Sequence, residues 1–194
     1  MNALDSMETN PHVKEKIIEI FAGKGLCGLV NDSNFCYMNT AIQCLSNTLP
    51  LTFYYLNHNY LGDLDPSKDT FEIVNNWYKL IEGLWDDNCT IAPVSFIKSV
   101  RQLSYRTNNI FHNNEQHDVS EFIIFIIDNM HEFLAKKIVP DLSNLKNKTK
   151  MDKILSNSKR MWYNSLNNKH SIIVDTFYGQ YISIVESLES SKKE

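Results

Sequence analysis

The chain has 194 residues, 43% hydrophobic and 22% charged, a balance that gives one domain with a real hydrophobic core and excludes disorder throughout. No apolar run approaches the ~20 residues of a membrane span, and the opening MNALDSMETN has neither a basic nor an apolar signal region, so the expectation is a soluble intracellular protein, cytoplasmic or nuclear, with no membrane partner. The net charge of −4 is uneven: residues 1–135 carry 8 basic and 17 acidic side chains, residues 136–170 carry 9 and 2, and residues 171–194 carry 2 and 4, so the first two thirds steer a basic protein or peptide toward them and disfavour nucleic acid.

The predicted elements are mainly helical. PHVKEKIIEIF, residues 11–21, sets apolar residues at 13, 17, 18, 20 and 21 behind a proline and predicts a short helix inside an N-terminal leader, 1–23. The glycine-rich connector GKGLCG follows. From Cys36 onward Tyr37, Met38, Ala41, Ile42 and Leu45 repeat at helical spacing, which puts Cys36 near a helix N-terminus. Three ordinary core helices are expected over 50–57, opening on Pro50, over about 68–85, and over 93–103, opening on Pro93. The strongest periodicity is in HDVSEFIIFIIDNMHEFLAKK, residues 117–137, where Val119, Phe122, Ile123, Ile126, Ile127, Met130 and Leu134 follow the i, i+3, i+4 rule. Ile124 and Phe125 widen that stripe, so this helix is expected to be central and largely buried. The Lys/Asn-rich stretch 141–169 holds a weaker helix near 151–166. SIIVDTFYGQYISIV, residues 171–185, is β-branched and aromatic with Gly179 inside it, and predicts strand, turn or bulge, strand. Residues 188–194 read as a frayed tail.

The four cysteines, Cys27, Cys36, Cys44 and Cys89, lack CxxC spacing and indicate neither a zinc site nor a disulfide framework; they are expected as reduced thiols. Cys36 has the setting of a nucleophile, because the thiolate is the attacking species and a helix N-terminus favours it through unpaired N–H groups. Attack also needs a donor aimed at the developing oxyanion, and Asn31 and Asn34, on the loop before the helix, are candidates. On this pattern alone a structural cysteine opening a helix remains the commoner alternative.

The order of residues carries more. GLVNDSNFCYMNTAIQCL, with Gly28, Leu29, Asn31, Asn34, Cys36, Tyr37, Met38, Asn39, Gln43 and Leu45, closely resembles the cysteine box of the ubiquitin-specific proteases, with Asp32, Ser33 and Phe35 standing where that family has a hydrophobe, glycine and threonine. EQHDVSEFIIFIIDNMHEFL, residues 115–134, is similar to the family's Q-Q/H-D-A/V-x-E-F helix through Gln116, Asp118, Glu121 and Phe122. TFYGQYISIVES, residues 176–187, resembles the strand that opens the family's finger region through Phe177, Gly179, Ser183 and Val185, with Ser187 where many members carry a zinc-binding cysteine. No metal and no cofactor are expected.

The resemblance covers about residues 24–187 and implies a mainly α (α+β) fold: the helical thumb of a papain-like protease domain with a short β element at the C-terminus. It implies thiol hydrolysis after the terminal glycine of ubiquitin or a ubiquitin-like protein. Cys36 is then the nucleophile and Asn31 the oxyanion donor. Asn34 and Gln43 brace the loop, and Asp118, Glu121 and Gln116 hold the basic tail. Helical geometry puts Asp118, Glu121, Phe125 and Asp128 on one side. The family's histidine box has no match, since His12, His58, His112, His117, His131 and His170 lack its flanks and read as structural or surface residues. The lone chain is therefore expected to be weak or inactive, with a second polypeptide as one source of the missing base. The alternative is a non-catalytic ubiquitin-binding or scaffold module.

Overall fold

Pro50, Pro93 and Asp118 each stand within one residue of a helix start, as local chemistry dictates. Pro lacks the N–H that a first turn leaves unpaired, and Asp can accept from two such groups. The computed structural model describes residues 12, 15, 18–19, 21–64, 71–107, 109–140, 142, 149–183 and 185. In chain order they form β1 Gly28–Leu29, α1 Cys36–Ser46, α2 Leu49–Leu56, α3 Tyr60–Asp63, α4 Phe71–Trp85, β2 Thr90–Ile91, α5 Val94–Arg106, α6 Val119–Leu134, β3 Lys136–Lys137, α7 Lys150–Ser165, β4 Lys169–His170 and α8 Ile172–Phe177. Of the leader 1–23, residues 12, 15, 18, 19 and 21 are helical and 22–23 form a turn; the rest of it, positions 68–70 of the helix expected over 68–85, Ser187 and the tail 188–194 lie outside the described residues. Among the described residues no helix is long and apolar enough to cross a membrane.

The chain divides into two units, Met1–Lys136 with His170–Thr176, and Lys137–Lys169 with Phe177–Glu194. In the first unit α4 packs on α2 and α5, and α1 packs on α2 and α6. The sequence explains the pairing: Ile73, Val74, Trp77, Leu80, Ile81 and Leu84 recur along one face of α4 and are buried there. Each such side chain contributes about 1.5–3 kcal/mol on leaving water. The end of α1 is tied in by its last carbonyl, Ser46 O, which accepts from Thr52 Oγ1 at 2.6 Å and Trp85 Nε1 at 3.1 Å. Gly25, at φ +76, fits the connector under Trp85; a Cβ there would stand 2.7 Å from the indole. The connector then enters β1, which runs parallel to β2 in the register Gly28↔Thr90 and Leu29↔Ile91.

The mainly helical class holds, with particular corrections. Ile124 is 59% exposed while Phe125 is 8% exposed, so Phe125 widens the buried stripe of α6 and Ile124 does not. Phe125 belongs to its core face and not to the side of Asp118, Glu121 and Asp128. Within SIIVDTFYGQYISIV, Ile172–Phe177 is helical and residues 178–183 form no strand. Burial overrides β-propensity here: Ile172, Ile173 and Val174 are all buried, which strand alternation would forbid on a one-faced sheet, and Ser171 O accepts from the N–H groups of Val174 and Asp175. The short helix α3 had no periodic signal; Tyr60 is buried there, and Asp63 receives Tyr54 OH at 2.6 Å and Lys136 Nζ at 2.7 Å.

In the second unit Thr149 and Asp152 form a reciprocal capping box that starts α7, each N–H to side-chain oxygen bond being 3.0 Å. Gln180 closes back on α7 by accepting from Ser158 Oγ at 2.7 Å and donating to Ser158 O at 3.2 Å.

Candidate active site

Cys36 is the first residue of α1 and is exposed. The preceding residue, Phe35, offers no side-chain cap, and the first turn holds no acidic residue, so the backbone N–H groups around Cys36 have no local side-chain acceptor. The Cys36 thiol makes no hydrogen bond among the described residues. An exposed thiol beside unclaimed N–H groups suits attack on a carbonyl whose oxygen becomes negative.

The loop before Cys36 is held from three directions. The β pairing continues past β1, with Val30 N–H donating to Ile91 O at 2.9 Å. From α1 itself, Asn39 and Gln43, four residues apart and hence on one face, reach back: Asn39 Nδ2 donates to Val30 O at 3.0 Å and Gln43 Nε2 to Cys27 O at 2.8 Å. From farther along the chain, the Arg101 guanidinium lies 4.6 Å from the centroid of the Phe35 ring. Its Nη2 donates to Asn113 O at 3.2 Å and to Asn114 Oδ1, and Asn34 Nδ2 donates to Asn114 O at 3.1 Å. Arg101 and Asn34 thus join the loop of Cys36 to the loop that leads into α6.

Ser33, standing where glycine is usual, costs no left-handed backbone. Among the described residues the non-glycine positive-φ positions are His58, Asn109, Asn167 and Asn168. Phe35 rests under Arg101 and packs against the core.

An aromatic cluster brings the two helix starts together. The Tyr37 ring lies 5.3 Å from both His117 and Phe122, and Phe111 lies 5.2 Å from His117 and Phe122 and 5.1 Å from Phe125. Burial pushes the Tyr37 phenol up to about 12; the Arg101 charge works against that rise and the Cys36 thiol adds to it. Cys36 and Asp118 are therefore each one residue from a member of the cluster, Tyr37 and His117.

At the start of α6, Asp118 Oδ1 accepts from Ser120 N–H at 2.7 Å and Glu121 N–H at 3.1 Å, so this carboxylate caps the helix. Gln116, Asp118, Glu121 and Asp128 are all exposed. Asn31 is exposed and makes no side-chain hydrogen bond among the described residues.

Three of the histidines, His117, His131 and His170, are engaged elsewhere. His117 Nε2 meets Asn113 Oδ1 at 3.2 Å, His131 Nδ1 meets buried Ser171 Oγ at 2.8 Å, and His170 Nε2 meets Asp175 Oδ1 at 3.0 Å. Among the described residues no group of three or more His, Cys, Asp or Glu side chains is placed to hold a metal ion.

Sequence reasoning passed over Arg101, Asn113 and Asn114, the residues that carry the long-range clamp. Their signal was faint: an arginine on an amphipathic helix and an asparagine pair in a loop are ordinary surface features until the fold sets them beside Phe35.

The ubiquitin carboxyl-terminal hydrolase family model matches residues 27–193. The chain is 35% identical over 173 residues to ubiquitin carboxyl-terminal hydrolase 15 of Homo sapiens, an alignment covering 87% of this chain and 17% of that protein. The figures for the Xenopus tropicalis protein of the same name are identical. Ubiquitin carboxyl-terminal hydrolase 4 of Mus musculus is likewise 35% identical over 173 residues, with 87% of this chain and 17% of that protein covered. The chain thus spans about a sixth of the length of these relatives.

Proposed function

Since the chain belongs to the ubiquitin carboxyl-terminal hydrolase family, we propose that it carries the nucleophile-bearing part of a thiol-dependent deubiquitinase that cleaves after the C-terminal glycine of ubiquitin or a ubiquitin-like protein. The observation that carries this reading is an exposed Cys36 at a helix start without a side-chain cap, its loop clamped to the loop that opens α6.

In this reading the Cys36 thiolate attacks the glycine carbonyl carbon, and the oxyanion is met by N–H groups at the start of α1 together with the Asn31 amide. Asn34 and Gln43 hold the loop still through the bonds described above, which keeps the donors where charge develops. Exposed Glu121, Asp118 and Gln116 face the basic tail. Asp118 can serve there only through what its cap leaves over, because Oδ1 is already shared between two N–H groups. The general base comes from outside the six histidines, from a palm segment or second polypeptide; the engagement of His117, His131 and His170 with other partners supports this. The acidic balance of residues 1–135 supports a basic ligand.

The test is hydrolysis of a fluorogenic ubiquitin C-terminal amide. The chain alone should turn it over poorly, because a positioned acid–base group is worth about 10²–10⁴-fold. Adding a polypeptide that bears a family palm and histidine box should restore cleavage, and Cys36→Ala should abolish it. Family-level turnover by the lone chain, lost in Cys36→Ala, would place the base on one of its own histidines.

A further inference from the structure

We infer that Cys27 and Cys89 form a reversible dithiol–disulfide pair, a modification site that staples β1 to β2. Their Sγ atoms lie 3.7 Å apart, at contact distance, although the residues are separated by 62 positions. They stand one residue before β1 and β2, whose parallel register sets Gly28 opposite Thr90 and hence the two cysteines side by side. One backbone bond and one to the sulfur itself fix that placement: Gly28 N–H donates to Cys89 O at 2.9 Å, and Cys89 N–H donates to the side-chain Cys27 Sγ at 3.2 Å. The Cys27 thiol in turn donates to Asp87 O at 3.0 Å. A disulfide needs the sulfurs at about 2.05 Å, so closing the 3.7 Å contact requires the two side chains to turn toward each other across the paired strands.

The two thiols differ in access, and that sets the order of events. Cys27 is 4% exposed and Cys89 is exposed, so a dissolved oxidant meets Cys89 first. With a small disulfide such as oxidised glutathione, the Cys89 thiolate attacks one sulfur, the S–S bond breaks, and one glutathione thiolate leaves and takes up a proton. The Cys27 thiolate then attacks Cys89 Sγ and expels the second glutathione thiolate. Two protein thiols are oxidised, one glutathione disulfide is reduced to two thiols, and the two protons pass to the leaving groups. Cross-linking residues 62 positions apart restricts the unfolded chain, so the oxidised form is the more stable one. The pair also bears on α1, since Cys27 O is the acceptor for Gln43 Nε2. It stands on these two thiols and not on the chemistry of Cys36.

The experiment equilibrates the 194-residue chain in glutathione buffers of rising disulfide content, quenches with acid, alkylates free thiols and maps peptides without reduction. The expected result is a Cys27–Cys89 cross-linked peptide that forms before any other protein disulfide and reverses with dithiothreitol, and an oxidised chain that melts above the reduced one. In Cys89→Ser, a change at an exposed site, Cys27 should remain an unmodified thiol and the melting difference should vanish. Glutathione persisting on Cys89 without the cross-link at every poise, or Cys27 taking up glutathione as readily in Cys89→Ser, would overturn the pairing.

Discussion

The starts of α1 and α6 lie against one aromatic cluster yet are secured in opposite ways. Asp118 caps α6 within three residues of itself, accepting from Ser120 and Glu121 N–H. Nothing local does this for α1. Its loop is held instead by Arg101 over Phe35 and by Asn34 bonding to Asn114, 80 positions away. A self-capped helix has two of its terminal N–H groups satisfied without help from the rest of the fold. A helix start clamped from a distance leaves those groups without a side-chain acceptor, at the cost of depending on tertiary structure. The difference separates a helix that positions from a helix end that can act on a ligand.

The largest effect should come from the residue that both starts share. Phe111 is fully buried against Tyr37, His117, Phe122 and Phe125. Phe111→Ala should cost about 3–5 kcal/mol in a denaturant titration. A loss under 1 kcal/mol would mean that the cluster does not couple the two helices.

Next comes the clamp on α1. Arg101→Ala should destabilise by about 1–3 kcal/mol, as expected for lost charged hydrogen bonds and ring contact, and should raise hydrogen exchange in residues 30–38 while leaving 118–122 unchanged. Arg101→Lys should restore little of this, because an ammonium lacks the planar fork. Equal exchange changes at both helix starts would erase the contrast between them.

The cap on α6 is a smaller and purely local matter. Asp118→Ala should cost about 1 kcal/mol, whereas Asp118→Asn should keep most of the stability, since both residues cap well. If Asp118 also meets a basic tail, Asp118→Asn should weaken ubiquitin binding without altering the melt, and a titration of the two variants separates the roles. Smallest of all, Ile124→Gln should stay within about 0.5 kcal/mol, because that side chain is exposed. A core-sized loss would put Ile124 back in the buried stripe that the sequence suggested.

What could be read from the chain follows the same division between local and distant. Asp118, Pro50 and Pro93 announce helix starts because capping is settled within a turn, and the apolar period fixes the core faces of α1 and α4, except that Phe71, expected on the α4 face, is 52% exposed at its first turn. The pattern also set Asn34 on the loop and Gln43 on α1, but their partners, Asn114 O and Cys27 O, are products of the fold. Arg101 went unnoticed for that reason. The strand expected over 171–185 failed where buried packing of Ile172, Ile173 and Val174 outweighed their preference for extended backbone. Phe125 was put on the wrong side because a stripe as wide as that of α6 leaves its centre undefined until a neighbouring helix chooses it.

Whether Cys36 is the reactive centre is decided by treating the lone chain with ubiquitin bearing a C-terminal electrophile and mapping the adduct by peptide mass spectrometry. A slow thioether is expected at Cys36, absent in Cys36→Ala, retained in Cys44→Ala and in Cys89→Ser, and diminished by salt. An adduct distributed over the exposed thiols Cys36, Cys44 and Cys89 alike, or no adduct at Cys36 while a small alkylating reagent still modifies it, would contradict the assignment of that helix start as the reactive centre.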